Sequence, residues 1–226
     1  MADDYLVGQM YLAPDLAEAA ETVAVVGQQR ATHDFARKGI AALNDAIRTQ
    51  DPTRTPDAHM LEVRKKGEQW LGDLARKSEA SRTAAEAALK GVEREIATEL
   101  GIADGKYATE VRAHLVPMTK NNRIDAIRAA IDKRDTETLG AVFSAPAYLS
   151  GLTDDEQALF RRQYAEKHAA PLIARKAAIE RSIVVNNRTF NSALVEVGAM
   201  FPKGKIADIN SRIEKANAAK DNILNG

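Results

Sequence analysis

Two proline-free stretches decide the fold of this chain. Residues 15–50 read DLAEAAETVAVVGQQRATHDFARKGIAALNDAIRTQ, and residues 57–100 read DAHMLEVRKKGEQWLGDLARKSEASRTAAEAALKGVEREIATEL. Each carries apolar residues at helical spacing without interruption, which predicts two single helices of about 50 Å and about 65 Å at about 1.5 Å rise per residue. The turn residues 51–56, DPTRTP, join them into a predicted antiparallel hairpin.

The second stretch has a clear start and a coiled-coil register. Thr55 is a good N-cap residue, and Pro56 suits the first helical position because its missing N–H would have no partner there. Further along, small and apolar residues alternate in steps of three and four, which predicts a helix–helix seam. The seam consists of Leu71, Leu74, Ser78, Ser81, Ala85, Ala88 and Val92. Because Ser and Ala bury little area, we expect this helix to need a partner helix.

The first stretch is expected to begin at Pro14 and to contain two glycines, Gly27 and Gly39. Each glycine costs about 1 kcal/mol relative to alanine inside a helix, so we expect a neighbouring helix to approach closely there. Residues 1–13 contain a small apolar cluster, which predicts that they pack against the protein or a neighbour. The cluster consists of Tyr5, Leu6, Val7, Met10, Tyr11 and Leu12.

Shorter helices are predicted between residues 107 and 152, with breaks at Pro117 and Pro146. A third long element opens at Thr153, where Thr153 and Glu156 match a capping box, and Pro171 must kink or split it. After a predicted turn over residues 201–205, a last helix places Ile206, Ile209, Ile213 and Ala216 on one side.

These patterns predict an all-α protein, an elongated helical bundle with three segments. The first, residues 1–103, contains the N-terminal segment and the long hairpin. The second, residues 104–152, is a cluster of short helices, and the third, residues 153–226, contains the long C-terminal helices. Only 5% of the residues are aromatic, which suits close packing of slender helices.

Charge and cysteine content exclude several classes of function. The chain has 32 basic and 32 acidic residues, so a general electrostatic attraction to nucleic acid or to an anionic membrane is not expected. Residues 1–103 carry a net charge of −4 and the remainder +4, which favours either self-association or docking of the two halves on each other. Without cysteine, disulfides and thiolate metal sites are excluded. With no secretory signal or long apolar run, we expect a soluble protein in the cytoplasm during its production.

No residues are predicted to be catalytic, to bind a cofactor or to bind a metal. Glu110 and His114 share a helix face, but a di-iron site in a bundle needs a second such pair and further carboxylates. Residues 154–156, DDE, are explained by the helix dipole and the capping box. With neither a phosphate-binding loop nor a nucleophile elbow, we expect no enzyme and no small-molecule substrate.

Two polar groups have alternative interpretations. Arg64, Lys65 and Lys66 form a basic cluster that could contact nucleic acid, although bases alternate with acids on the helix faces, as on ordinary solvated surfaces. Residues 186–188, NNR, either lie on the surface or form a polar layer that fixes helix register.

One stretch resembles a known group of proteins. Residues 110–115 read EVRAHL, residues 123–127 read RIDAI, and residues 139–153 read LGAVFSAPAYLSGLT. Together these resemble uncharacterised helical proteins from the structural-gene regions of tailed bacteriophages, mainly over residues 110–156. The resemblance contributes no functional residues and implies a role in a virion or in its assembly.

The sequence therefore predicts a non-enzymatic structural protein, a repeated helical subunit of a bacteriophage virion that associates with its own copies and with other structural proteins. The interaction residues are expected to be the apolar and alanine positions of the seam together with Ile206, Ile209 and Ile213. One alternative is a transient assembly chaperone or scaffold, and another is a nucleic-acid-packing protein that uses Arg64, Lys65 and Lys66. No membrane association is expected.

Overall fold

The computed structural model describes residues 14–103 and 105–224, and over these residues the protein is all-α, without a strand. It forms two compact units. Unit 1 comprises the described residues up to Glu86 and those from Ile179 onward, and unit 2 comprises Ala87–Ala178. The apolar cluster of residues 1–13 lies outside the described residues.

Two helices replace the single helix predicted over residues 15–50. They are α1, Pro14–Thr22, and α2, Ala24–Arg48. Between them Val23 has an extended backbone, with φ −111° and ψ 102°. The prediction of one unbroken helix is therefore wrong. The break lies in a β-branched run, TVAVV, which favours helix less than its apolar spacing suggests. At Gly27 an added Cβ would lie 2.7 Å from the Ala20 carbonyl oxygen, so glycine permits α1 to approach α2 at the bend.

The second predicted helix is confirmed as α3, Pro56–Leu100, a single helix of 45 residues. Thr55 is its N-cap, since the Ala58 backbone N–H donates to Thr55 Oγ1 at 3.3 Å. In unit 1 α2 and α3 are antiparallel. Near the turn that joins them the His59 ring lies 2.8 Å from the Ala46 carbonyl oxygen, and farther away Thr32 contacts Ser81. The predicted hairpin is thus present in unit 1.

Gly39 shows why the hairpin needs a glycine in α2. A Cβ at Gly39 would overlap the indole of Trp70 on α3. Trp70 also stacks on Phe35, with ring centroids 6.1 Å apart. The expected close approach of a partner helix at Gly39 is therefore confirmed.

Unit 1 is completed by the C-terminal helices. These are α8, Ala170–Met200, of which the part from Ile179 belongs to unit 1, and α9, Lys203–Leu224. The predicted turn at residues 203–205 is wrong, because α9 already begins at Lys203, directly after Pro202. Apolar residues of α2, α3, α8 and α9 form one core in this unit. Its buried members are Ala36, Ile40, Leu43, Val63, Leu74, Ala193, Val197, Phe201 and Ile206.

Unit 2 is built from short helices and from the adjoining ends of α3 and α8. The short helices are α4, Ala108–Leu115; α5, Lys120–Lys133; α6, Thr136–Phe143; a 3-10 helix, Ala147–Ser150; and α7, Asp154–His168. Their core is larger and more apolar than that of unit 1. Its largest buried side chains include Leu100, Leu115, Ile127, Ile131, Leu139, Phe143, Phe160 and Tyr164.

The predicted start and interruption of the third long element are both present. Thr153 Oγ1 accepts from the Glu156 N–H at 3.2 Å, and Glu156 Oε2 accepts from the Thr153 N–H at 3.0 Å, which completes the capping box. At the other end, Ala169 leaves helical geometry with φ −133° and separates α7 from α8. Pro171 lies in the first turn of α8, where it is tolerated.

The boundaries of the two units do not coincide with ends of helices. The change from unit 1 to unit 2 falls within α3, after Glu86, and the return falls within α8, before Ile179. The three segments inferred from the sequence end instead in loops, at residues 103 and 152. A unit is defined by side chains that pack across distant parts of the chain, and helical periodicity continues unchanged through such a boundary.

Candidate interaction surface

The α3 seam divides between the two units. In unit 1, Leu74 and Ala85 are fully buried, Ser78 and Ser81 are buried, and Leu71 is half-buried. Each of the buried positions lies on the face predicted from the alternating spacing. In unit 1 this face of α3 therefore packs inside the protein.

Polar contacts connect α3 with α2 in the middle of the seam. The hydroxyls of Thr32 and Ser81 lie 2.9 Å apart, and Gln29 Nε2 donates to the Ser81 carbonyl oxygen at 3.5 Å. Gln29 has none of its surface exposed. Serine at the seam therefore serves as a hydrogen-bonding position as well as a small one.

A second set of contacts connects α3 with α8. Asn186 is 2% exposed, and its Nδ2 donates to the carbonyl oxygen and to the Oγ of Ser78, both at 3.0 Å. Its neighbours Asn187 and Arg188 are exposed. Of the stretch at residues 186–188, only Asn186 therefore lies in a buried polar layer.

Some acceptors of this layer have no hydrogen-bond partner among the described residues. They are Gln29 Oε1 and Asn186 Oδ1. A buried acceptor without a partner costs about 1–3 kcal/mol. Polar side chains at seam positions also disfavour shifted helix pairings, because a shift would separate donors from acceptors. We therefore expect the layer to stabilise unit 1 less than well-packed apolar residues of similar size would, and to favour one register.

An apolar groove of about 490 Å³ lies on unit 1, between α3, the end of α8 and the start of α9. Leu71, Val197, Phe201 and Ile206 line it, and Leu194 at its side is 51% exposed. Its charged lining residues are Arg64, Glu68 and Lys203. The groove is not predictable from local sequence patterns, because it exists only where three helices that are distant in sequence meet.

α9 continues beyond the groove as an exposed helix. Ile206 and Ile209 are buried, whereas all residues from 210 to 221 are exposed, including Ile213 at 42%. Arg212 Nη1 lies 2.8 Å from Asp57 Oδ2, in the first turn of α3. α9 thus reaches the beginning of α3 at Arg212 and extends past it. The predicted interaction residues Ile206 and Ile209 lie in the core of unit 1, and Ile213 lies on its surface.

The basic cluster adjoins the groove. Arg64 Nη2 forms an ion pair with Glu68 Oε1 at 2.8 Å, while Lys65 and Lys66 are exposed. The positive charge of Arg64 is thereby partly compensated within α3. Lys65 and Lys66 are therefore the exposed basic residues of this cluster.

The remaining seam residues, Ala88 and Val92, lie in unit 2. Val92 is fully buried and Ala88 is half-buried. Beside Val92, Glu93 pairs with Lys176 at 2.9 Å, and two residues further Glu95 pairs with Arg175 at 3.1 Å. These ion pairs connect α3 to α8 in an antiparallel arrangement within this unit.

Glu110 and His114 lie at a shallow depression of unit 2 with a volume of about 450 Å³. Its lining is mainly apolar, and Lys133 and Asp135 are its other charged members. Asp135 Oδ1 accepts from the backbone N–H of Thr138. The hydrogen bonds that the side chain and the backbone of Thr138 donate to Asp135 lower the pKa of Asp135. The part of the chain that the structure describes contains no group of three or more His, Cys, Asp or Glu residues that could hold a metal ion.

Of the acidic residues at the start of α7, Glu156 has a structural explanation in its contacts. Lys120 Nζ lies 2.8 Å from Glu156 Oε1, and the backbone N–H of Thr153 donates to the other oxygen. The Lys120 contact, followed by the Thr153 bond, lowers the pKa of Glu156. A carboxylate held ionised by a cap and a lysine is suited to stabilising the helix start.

Comparisons with known proteins give no relative for this chain. No protein-family model, no curated protein and no solved structure matches it. Among the helices of residues 14–103 and 105–224, none combines the length and the apolar character needed to span a bilayer.

Proposed function

We propose that this protein is a non-enzymatic structural or assembly protein that acts as a repeated subunit. The observation that carries this proposal is the surface of unit 1, where an apolar groove lies next to an exposed helix. Leu194 and Ile213 expose large apolar side chains at or near this surface, at 51% and 42%. Apolar surface of this kind is typical of sites that bind other proteins.

The virion is the proposed location of the assembled protein, after its production in the cytoplasm of the host. This part of the proposal depends on the resemblance of residues 110–156 to helical proteins of tailed bacteriophages. Mass spectrometry of purified phage particles tests it directly. Stoichiometric amounts of the chain in mature particles support a virion component, whereas its presence only in immature particles supports a transient scaffold.

Size-exclusion chromatography with light scattering and small-angle X-ray scattering, measured across a concentration series, tests self-association. We expect a defined oligomer whose population rises with concentration. A chain that remains strictly monomeric at high concentration would contradict the repeated-subunit proposal. Oligomers that dissociate reversibly when salt is added would favour the transient scaffold, because salt screens exposed charges.

Nucleic-acid packing is a second candidate, favoured by the exposed side chains of Lys65 and Lys66. Its support is smaller because Arg64 is already paired with Glu68. A labelled duplex at low salt is the appropriate probe. Binding that is lost when both lysines are replaced by glutamine would favour this candidate over the structural role.

A further inference from the structure

We propose that the exposed half of α9 binds the groove of a second copy of this chain, so that two α9 helices pair in an antiparallel manner. The inference rests on the proposed function, since it names the partner and the surface through which the repeated subunit associates. The interface consists of the groove on unit 1 and residues 210–221 of α9. Both copies contribute the same surface, as a two-fold interface requires.

The first argument is the face that α9 presents. The groove is lined on its α9 side by Ile206 and by Lys203, Ala207 and Asn210, of which the last three lie at steps of four and three. The same steps continue along the exposed half of the helix, to Glu214, Asn217 and Asp221. Since such steps keep residues on one side of a helix, the wall of the groove extends along the exposed half as a single face.

The second argument is charge complementarity along this face. Lys203 stands at one end and Asp221 at the other, 18 residues or about five turns apart. Within the described residues neither of them forms an ion pair. An antiparallel pair of α9 helices places each Lys203 opposite the partner's Asp221, and so forms two ion pairs by symmetry. In a parallel pair, like charges would face each other.

The third argument concerns what the association covers. Ile213 lies beside this face on α9, and Leu194 lines the groove, with 42% and 51% of their surfaces exposed. A second α9 in the groove removes both from water. The formal net charge of the chain is zero, so two copies meet without general electrostatic repulsion. A second copy is therefore an occupant that fits both the charges and the apolar surface.

A charge exchange tests the inference. Lys203→Glu and Asp221→Lys each replace the two attractive pairs by two repulsive ones, and each is expected to weaken self-association about tenfold. The double variant restores opposite charges and is expected to recover the association of the unmodified chain. Each change suits its end of the helix, with the acid at the N-terminus and the base near the C-terminus, so that folding is preserved.

Lys215→Glu is the matched control. It makes the same charge change as Lys203→Glu, but Lys215 lies outside the groove face, because 12 residues correspond to about three and a third turns, so that it points about 120° away from Lys203 around α9. It is expected to leave association unchanged. Dissociation constants come from sedimentation equilibrium of the full chain, and circular dichroism verifies that every variant is helical.

The outcomes separate the inference from the proposed function. If the unmodified chain associates but the single variants do so equally well, or the double variant fails to recover, the inference is overturned and the repeated-subunit proposal stands. If the unmodified chain is monomeric at every concentration, both are overturned. Ile213→Ser provides a test without a charge change, and unaltered association of this variant would also contradict the inference.

Discussion

The interiors of the two units differ in chemistry. Unit 1 buries eight polar side chains among the described residues, whereas unit 2 buries Ser150 and, apart from the hydroxyl of Tyr164, no other. The eight in unit 1 are Gln29, Thr32, His33, Ser78, Ser81, Ser182, Asn186 and Thr189. Unit 2 instead packs leucine, isoleucine and aromatic side chains. Two interiors of different chemistry are therefore present in a chain whose composition suggests neither of them.

The lengths of the helices explain part of the difference. A helix leaves four carbonyl groups without partners at its C-terminal end, so a unit made of short helices has many such groups. In unit 2 polar side chains are used to satisfy them. Gln157 Nε2 donates to the carbonyl oxygens of Val142 and Ala145 at 2.6 and 2.9 Å, and the Tyr164 hydroxyl donates to that of Leu100 at 2.9 Å.

Arg123 makes the most extensive contribution of this kind. Its guanidinium donates to the carbonyl oxygens of Leu115, Val116 and Met118, at 3.0, 2.9 and 2.8 Å, and also to that of Gly151. A single side chain thus binds the end of α4 and the loop before α7. In unit 1, by contrast, the buried polar side chains lie between long helices, where they influence which residues face each other. The comparison teaches that polar side chains can either donate to the unpaired carbonyl groups at helix ends or fix which residues of neighbouring helices face each other.

The largest expected effect is that of Leu74→Asp in unit 1. Leu74 is fully buried, so the carboxylate would lie in the core without a partner. We expect a loss of more than about 4 kcal/mol in unfolding free energy and a loss of helicity. Val184→Asp is the control, since Val184 is 48% exposed on α8. Thermal and urea unfolding followed by circular dichroism measures both, and an unchanged melting curve for Leu74→Asp would refute the register assigned to α3.

Arg123→Met in unit 2 is expected to have an intermediate effect. It keeps most of the aliphatic volume but removes every donor from four carbonyl groups, and the expected cost is about 2–3 kcal/mol. Urea unfolding measures this cost. Arg128→Met is the matched control on α5, because Arg128 is exposed and makes no such bond within the described residues. Equal stability of the two variants would show that closure of helix ends contributes little to unit 2.

The smallest expected effect is that of Asn186→Ala, which tests the role of a polar side chain that sets helix register. Asn186→Ala removes the bonds to Ser78, and we expect it to cost about 1–2 kcal/mol. A double-mutant cycle with Ser78→Ala isolates the contact between the two side chains, with an expected coupling of about 0.5–1 kcal/mol. Additive effects would indicate that the backbone carbonyl of Ser78 is the only partner that matters.

Local features of the fold were accessible from the sequence, and non-local ones were not. Thr55 and Thr153 were correctly identified as helix starts, because a cap and its partner lie within three residues. The break at Val23 was missed, because apolar spacing continued through it and only the packing of α1 on α2 at Gly27 reveals it. The groove was missed for a similar reason, since Leu71, Leu194 and Ile206 belong to three different helices.

The sequence by itself determined the helical class, the starts of α3 and α7 and the buried face of α3. Periodicity, caps and prolines act within one or two turns, so they can be recognised without knowledge of the neighbours. Only the tertiary structure decided that α3 and α8 each belong to two units, that Asn186 bonds to Ser78, and that residues 210–221 are exposed. These features depend on which distant helices meet, and the energies that select such pairings are sums over many contacts that no single stretch of the chain contains.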